Sequence, residues 1–212
     1  MTPVRRGGVP PQLAAMPLRT LRAQDAQAVY AHPRSQLVRL ERAGALRRIA
    51  YGLYVVVPQE HVGTGWMPTL EAAAAGIAAA TFGAEHAALM SVSAARMLGA
   101  IPRALSTAIV AAPAQHAPLQ LVDRVAVVRF VKRDVGVLDV LPVTTELGRA
   151  LVTSVEQTVL DLARRPSLGV VDDQIPDAIR VLLAASDDAL LTELAARQRK
   201  QATLRRARQW AE

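Results

Sequence analysis

Apolar and polar positions along the chain change period several times, and each change marks an element. Between Arg34 and Ala43, the residues Leu37, Val38, Leu40 and Ala43 recur at helical spacing with Arg39, Glu41 and Arg42 among them, which predicts an amphipathic helix. Gly44 follows where such a helix stops, because glycine takes the left-handed conformation at least cost. Leu46 to Ile49 and Leu53 to Val57 are then two short apolar runs around Tyr51-Gly52, the pattern of a hairpin. Upstream, Gln12 to Met16 predicts a short helix. Leu21 to Tyr30 predicts another, with Leu21, Ala26, Val29 and Tyr30 on one stripe. Ala31-His32-Pro33 breaks the chain between them, since Pro33 disfavours helix at His32 and suits the first turn of the helix that follows. Two helices separated by about three residues match helix-turn-helix spacing. Followed by a hairpin, they predict a winged helix-turn-helix.

The pattern shifts after Pro58. Gln59 to Gly65 is polar with two glycines and reads as a linker, so the chain divides into residues 1–58, the winged helix-turn-helix, and residues 59–212. Met67 to Ala80 predicts an Ala-rich helix ended by Phe82-Gly83; Gly76 inside it either weakens it or marks close packing against another backbone. Ser91 is placed to N-cap a helix over Val92 to Leu98, closed by Gly99. Thr107 to Ala112, Val125 to Val131, Leu138 to Thr145 and a short Leu151-Val152 predict strands, with a turn at Asp134 to Gly136. Ser154-Val155-Glu156-Gln157 is a Ser-x-x-Gln capping box. It opens a helix with Val155, Val159, Leu162 and Ala163 on its apolar face, an Asp161–Arg165 pair on the opposite one, and Pro166 as its stop. Ile175 to Ala185 and Asp188 to Trp210 predict two more helices. The expected fold is α+β: an N-terminal winged helix-turn-helix, then an α+β domain with a small, mostly antiparallel sheet and several helices.

Composition changes this picture through the placement of charge. The net charge is +7, and residues 1–58 hold nine arginines against Asp25 and Glu41, which is the whole excess. In the remainder, sixteen basic residues meet sixteen acidic ones. Excess charge confined to the winged-helix pattern is the footprint of a nucleic-acid-binding unit beside a neutral partner domain. Aromatic residues make up only 3% of the chain, so Ala, Val and Leu must build the core. The apolar run Ala72 to Phe82 falls far short of the roughly 20 residues that span a bilayer. Arg5-Arg6 is followed by no continuous apolar region of the kind a signal peptide needs. A cytoplasmic location with no membrane partner is expected. The chain has no cysteine, which excludes disulfides, thiolate nucleophiles and cysteine-ligated zinc.

Within the basic unit, Arg34, Ser35 and Gln36 open the second helix and are what a major groove meets first. Arginine can read guanine and glutamine adenine, but both reach phosphate equally well. Arg39 lies one turn on, as a backbone contact. Arg42 either contacts DNA or lays its stem over the core. Arg47 and Arg48 lie on the strand leading into the wing, and Tyr51 lies at its tip. Two other basic stretches carry two readings each. Arg5-Arg6 is an unstructured tail or a minor-groove arm. Arg197, Arg199, Lys200, Arg205, Arg206 and Arg208 are a solvated face, or a second contact surface for DNA or protein.

Motifs for chemistry are missing. The sequence holds no Gly-x-x-x-x-Gly-Lys-Ser/Thr loop, no dinucleotide fingerprint and no protein-kinase signature set. His32, His61, His86 and His116 have no ligand spacing, so no metal is expected. Glu156, Asp161, Asp172 and Asp173 are explained by capping, pairing and solvation. Motifs alone do not make this an enzyme, and no cofactor is expected from them.

Three stretches in order carry a resemblance: LVRLERAGALRRIAYGLYVVVP at Leu37–Pro58, HAALMSVSAARMLGAIP at His86–Pro102, and VTSVEQTVLDLARRP at Val152–Pro166. Together they resemble the AbiEi family of antitoxins, the transcriptional-regulator partners of nucleotidyltransferase toxins in type IV toxin–antitoxin systems. The resemblance implies an N-terminal winged helix that represses its own operon on double-stranded promoter DNA. It also implies a C-terminal domain that neutralises the cognate nucleotidyltransferase toxin without a stable complex being obligatory. Some relatives are thought to act as atypical serine kinases on the toxin. That alternative would bring in ATP, and its candidate residues here are Lys132, Asp134 and Asp161. A third reading is a plain transcriptional regulator whose second domain binds a ligand or dimerises. The chain departs from the family pattern at Tyr51, where an arginine usually precedes the wing glycine, and at Gly169-Val170, where Gly-Gly is usual.

Overall fold

The computed structural model describes residues 8–169 and 172–211. Arg5, Arg6 and Val170 lie outside the described residues. Helix α1 (Pro11–Ala14) and a 3-10 turn at Pro17–Arg19 lead into strand β1 (Thr20–Arg22); a 3-10 helix over Ala23–Ala28 and helix α2 (Pro33–Arg42) follow. Strands β2 (Leu46–Ala50) and β3 (Leu53–Val56) form the predicted hairpin. The expected helix over Leu21–Tyr30 is thus replaced by a strand and a 3-10 helix. Thr20–Arg22 pairs antiparallel with β3, Leu21 opposite Tyr54, giving a three-stranded sheet of order β1-β3-β2. The 3-10 helix is started by Asp25, whose carboxylate accepts from the Arg22 backbone N–H at 2.7 Å.

Helix α2 ends as its sequence prescribes. Gly44 sits at φ 69°, its N–H donates to the Glu41 carbonyl, and the Ala45 N–H donates to that of Leu40. These two bonds make a Schellman closure. Leu37 and Leu40 then face a small core with Leu13, Leu21, Leu46 and Val56.

The second half is built on a six-stranded sheet: β4 (Ala88–Leu89), β5 (Thr107–Ala112), β6 (Leu119–Gln120), β7 (Val127–Lys132), β8 (Val140–Thr145) and β9 (Gly148–Thr153). Its order is β6-β7-β5-β4-β9-β8. The sheet is mixed: β5 with β7 and β4 with β9 run parallel, and the other three pairings run antiparallel. Strand β5 is buried on both faces and shows the period of two directly. Ala108, Val110 and Ala112 enter one core, and Ile109 and Ala111 the other. The first of these cores is capped by helix α3 (Leu70–Phe82), the second by α4 (Ser91–Met97), α5 (Val155–Arg164), α6 (Ile175–Ala185), α7 (Asp188–Arg197) and α8 (Gln201–Ala211).

Helix α3 lacks an amphipathic stripe because it is covered on two sides. Its residues from Leu70 to Ala79 are all buried. They share one core with the six-stranded sheet and with Leu18, Ile49, Ala50, Leu53 and Val55 of the N-terminal unit. Small side chains let both sheets approach, and Gly76 marks the tightest point: a Cβ there would lie 2.2 Å from Thr20 Oγ1. The two sequence units therefore share a core across Pro58. The polar stretch between them is docked as well, with His61 stacked on Trp66 at a centroid distance of 5.3 Å.

Four expectations in this half are corrected. Ser91 does not cap α4: Met90 is the N-cap, and Ser91 is the first helical residue, at φ 54°, with its hydroxyl buried and unpartnered. The Ser154 hydroxyl accepts from the Gln157 N–H at 3.1 Å, but the Gln157 side chain turns to Asp161 and Gln198, so the reciprocal half of the box is not made. Asp161 does not pair with Arg165 on an outer face; α5 is buried from Glu156 to Ala163, and Asp161 lies inside. The last predicted helix is two, α7 and α8, broken at Arg199, which takes φ 55°.

Candidate functional site

The sequence directs attention to α2 and the hairpin after it. Burial of Leu37 and Leu40 fixes the rotation of α2 and leaves Arg34, Ser35, Val38, Arg39 and Arg42 exposed around one shallow depression. These positions follow one another at i, i+4 and i+8, so they form a strip along about 12 Å of helix, at 1.5 Å per residue. Arg39 Nε donates to Gln36 Oε1 at 2.9 Å, which orders both side chains on the strip. The Ser35 hydroxyl donates to the His32 carbonyl at 3.0 Å. Among the described residues, none of Arg34, Arg39 and Arg42 makes an ion pair. Unpaired guanidinium groups on one face produce a local positive field available to an anion.

At the hairpin, Tyr51 is 87% exposed, and the Arg48 guanidinium stands over its ring, 4.5 Å from the centroid. The pair holds a cation and an aromatic face together at the turn, a cation–π contact that limits the freedom of both side chains. Arg47 behaves differently. Its Nε donates to Asp123 Oδ2 at 3.3 Å, and its Nη1 to the carbonyls of Gly65 and Trp66 at 3.3 and 3.1 Å. Its charge is used inside the fold, at the seam between hairpin and six-stranded sheet, where Ile49 also accepts from the Val122 N–H. Of the eight residues nominated from sequence for DNA, Arg34, Ser35, Gln36, Arg39 and Arg42 share the helix, Arg48 and Tyr51 share the turn, and Arg47 is a latch.

No protein-family model matches the chain, and no curated protein matches it.

The residues nominated for phosphoryl chemistry divide in the same way. Lys132 and Asp161 line one cavity of about 410 Å³. Asp134 is not there; its carboxylate accepts from the Gly136 N–H at 2.9 Å and shapes the turn after β7. Asp161 is 3% exposed. Its Oδ1 accepts from Gln157 at 3.1 Å and from Lys200 Nζ at 3.3 Å, and the Arg133 guanidinium stands 3.6 Å away. Lys200, 7% exposed, has its pKa pushed down by burial, with Asp161 opposing that shift and Arg133 adding to it.

The basic C-terminal stretch is in part structural. Lys200 is buried, Arg206 donates to the Ala163 carbonyl, and Arg208 meets Asp188 at 2.6 Å. Arg197, Arg199 and Arg205 are exposed. Sequence reasoning missed Asp123 and Arg124, which close the seam, and Arg129, Arg133 and Arg164, which line the cavity with Asp161. The seam role of Asp123 left no signal in the sequence, because Arg47 is 76 positions away. The dipeptides Lys132-Arg133 and Arg164-Arg165 were visible as paired charges, but nothing in spacing joins them.

Among the described residues no group of three or more His, Cys, Asp or Glu side chains could hold a metal. No helix of the described residues is long and apolar enough to cross a membrane.

Proposed function

We propose that this chain is a DNA-binding transcriptional regulator whose N-terminal unit is a winged helix-turn-helix. The observation that carries the reading is the exposed strip Arg34, Ser35, Val38, Arg39 and Arg42 on α2, its arginines without ion pairs among the described residues, in the part of the chain that holds the whole +7 excess. The order helix, strand, 3-10 helix, helix, strand, strand, with β1 pairing on the hairpin, supports the winged-helix assignment. In this reading α2 enters the major groove, about 12 Å wide, with Arg34 and Gln36 near the bases. Arg39, Arg42 and Arg48 hold phosphates, and Tyr51 with Arg48 packs against the sugar–phosphate backbone.

The role we propose is an autorepressing antitoxin acting in the cytoplasm beside a nucleotidyltransferase toxin. This part rests on the ordered resemblance of Leu37–Pro58, His86–Pro102 and Val152–Pro166 to the AbiEi family. Neutralisation by phosphorylation gains support only from the shared cavity of Lys132 and Asp161.

The test uses the whole chain, because the first unit shares its core with the second. Fluorescence anisotropy with the DNA upstream of its own gene should show binding whose log–log salt slope is about −0.9 per neutralised phosphate. Substituting Arg39 or Arg42 by Ala should make that slope shallower by about one unit each. Equal affinity for promoter and scrambled DNA, with unchanged slopes in these variants, sinks the DNA reading. Growth rescue on co-expression with the neighbouring gene product tests the antitoxin part separately.

A further inference from the structure

Val38 differs from everything around it on the open face of α2. It is 44% exposed, a large apolar side chain on a helix whose other exposed positions are Arg34, Ser35, Arg39, Glu41 and Arg42. Arg34, Ser35 and Arg42, at i−4, i−3 and i+4, are its neighbours on the helix surface, and all four line one shallow depression with Arg39. The isopropyl group is therefore an apolar spot ringed by guanidinium groups. Packing and propensity do not account for it. Leu37 and Leu40 carry the contact with the small N-terminal core, and Val38 is not among the side chains packed on that core. Valine is also a poorer helix former than Lys, Gln or Glu, because its branched side chain is stiff in a helix.

The base edges in a major groove decide what such a spot can meet. Every base pair presents hydrogen-bonding atoms there, and thymine alone adds an apolar group, its C5-methyl. A side chain with no donor or acceptor that covers N7 or O6 of guanine, or the amino group of cytosine or adenine, leaves a polar atom buried and unpaired, at a cost. Laid on a thymine methyl, the same side chain buries two apolar surfaces against each other. Gln36 does not compete for that A·T pair. Reading adenine takes both halves of the carboxamide, its oxygen for N6 and its nitrogen for N7. Gln36 Oε1 accepts from Arg39 Nε at 2.9 Å, so the carboxamide turns its oxygen to Arg39 rather than to a base.

We infer that Val38 is a specificity-determining residue that reads the C5-methyl group of a thymine in the operator. The inference rests on the DNA reading of α2 given above. Arg34, Arg39 and Arg42 supply the charge that seats the helix, and Val38 supplies discrimination at one base pair. Cytosine at that position lacks the methyl and places an amino group beneath the isopropyl group, while adenine or guanine places N7 there. A change at Val38 therefore alters base preference without touching a phosphate contact.

The test is fluorescence anisotropy of the full chain on the DNA upstream of its own gene, with deoxyuridine replacing thymine at one position at a time. Deoxyuridine keeps every hydrogen-bonding atom of thymine and lacks only the methyl group. Wild type should lose about three- to fivefold in affinity at one thymine or more, the scale of one buried methyl group. Changing that pair to C·G should cost about tenfold or more. Val38→Ala, at an exposed position where Ala is the better helix former, keeps the fold. It should bind the thymine and deoxyuridine duplexes equally, close to the wild type's affinity for deoxyuridine, with the salt slope unchanged because no phosphate contact is lost. Two results overturn the inference alone: a wild type that prefers its promoter to scrambled DNA yet is indifferent to deoxyuridine at every position, or a sensitive thymine that stays equally sensitive in Val38→Ala. A wild type that binds promoter and scrambled DNA alike fails the DNA reading itself, and this inference falls with it.

Discussion

The Arg47 guanidinium donates to the Asp123 carboxylate at 3.3 Å, across 76 positions of chain, and fastens the basic hairpin to the six-stranded sheet. Asp123 also takes two bonds from Arg124, at 3.1 and 2.8 Å, and Arg124 in turn donates to the Pro68 carbonyl at the approach to α3. The Asp123 side chain is 3% exposed, so the carboxylate is held by its partners rather than by water.

Loss of this carboxylate should cost stability before it costs recognition. Asp123→Ala leaves two guanidinium groups without their acceptor and should lower the unfolding free energy by about 2–3 kcal/mol. Urea titration reads this as a lower midpoint at unchanged slope. Arg47→Ala should behave the same way at about 1–2 kcal/mol, the screened remainder of its bonds. Arg39→Ala, on an exposed face, should stay within about 0.5 kcal/mol. Promoter affinity should show the reverse order, with Arg39→Ala the more damaging. A stable Arg47→Ala protein that loses as much affinity as Arg39→Ala would return Arg47 to the DNA surface.

Gly76 should resist enlargement for a reason local to one contact. An added Cβ would stand 2.2 Å from Thr20 Oγ1 and 3.1 Å from its Cβ, while that hydroxyl donates to the Leu18 carbonyl at 2.8 Å. Gly76→Ala should therefore destabilise by about 1–3 kcal/mol, although Ala is the better helix former. Combining it with Thr20→Ala should recover part of the loss, so a double-mutant cycle should show a coupling of at least about 0.5 kcal/mol. Additive costs would place the strain elsewhere.

Helix α2 and the hairpin after it were readable because their signals are local. Gly44 closes α2, Pro33 opens it and Tyr51-Gly52 turns the hairpin, each within a few positions of the element it bounds. Strand β1 was not readable: Leu21 to Tyr30 has a helical stripe, and only pairing with Tyr54 makes Leu21 extended. The strands β4 and β6, two residues each, exist only through their neighbours in the sheet. The two parallel pairings in a mostly antiparallel sheet were hidden for the same cause, since direction of pairing is a long-range property. Asp161 was misplaced because i,i+4 spacing with Arg165 suggests a surface pair, whereas α5 is enclosed on all sides. Its true partners, Lys200 and Arg133, come from a helix start and a strand end far away in sequence.

The break between α7 and α8 left no glycine or proline to announce it. Arg199 occupies the left-handed position at φ 55°; its N–H donates to the Ala196 carbonyl and that of Lys200 to the Ala195 carbonyl. This is the closure that Gly44 makes for α2, with an arginine in the glycine's place. Arg199→Gly should therefore stabilise the protein by about 1 kcal/mol, the steric cost of the left-handed conformation for a side chain. In a chain of this size that is roughly 2–4 °C in melting temperature. A fall in melting temperature would mean that the Arg199 side chain contributes more than its backbone costs.

That same closure turns Lys200 inward onto Asp161, and stability at alkaline pH should report it. Burial holds the Lys200 pKa below its ordinary value, and the Asp161 attraction offsets only part of this. The unfolded chain therefore keeps a proton on Lys200 in a pH window where the folded chain has lost it. Where the unfolded state binds more protons, unfolding free energy rises with pH. The cost of burying the ammonium is fully present below the folded value and is relieved as pH rises from there to the ordinary lysine value. Lys200→Met removes this titration. The difference in unfolding free energy between wild type and Lys200→Met, measured by urea titration from neutral pH upward, should shift in favour of wild type across that window. A difference that stays flat, or moves toward Lys200→Met, would mean that Asp161 holds the ammonium charged more firmly than burial discharges it.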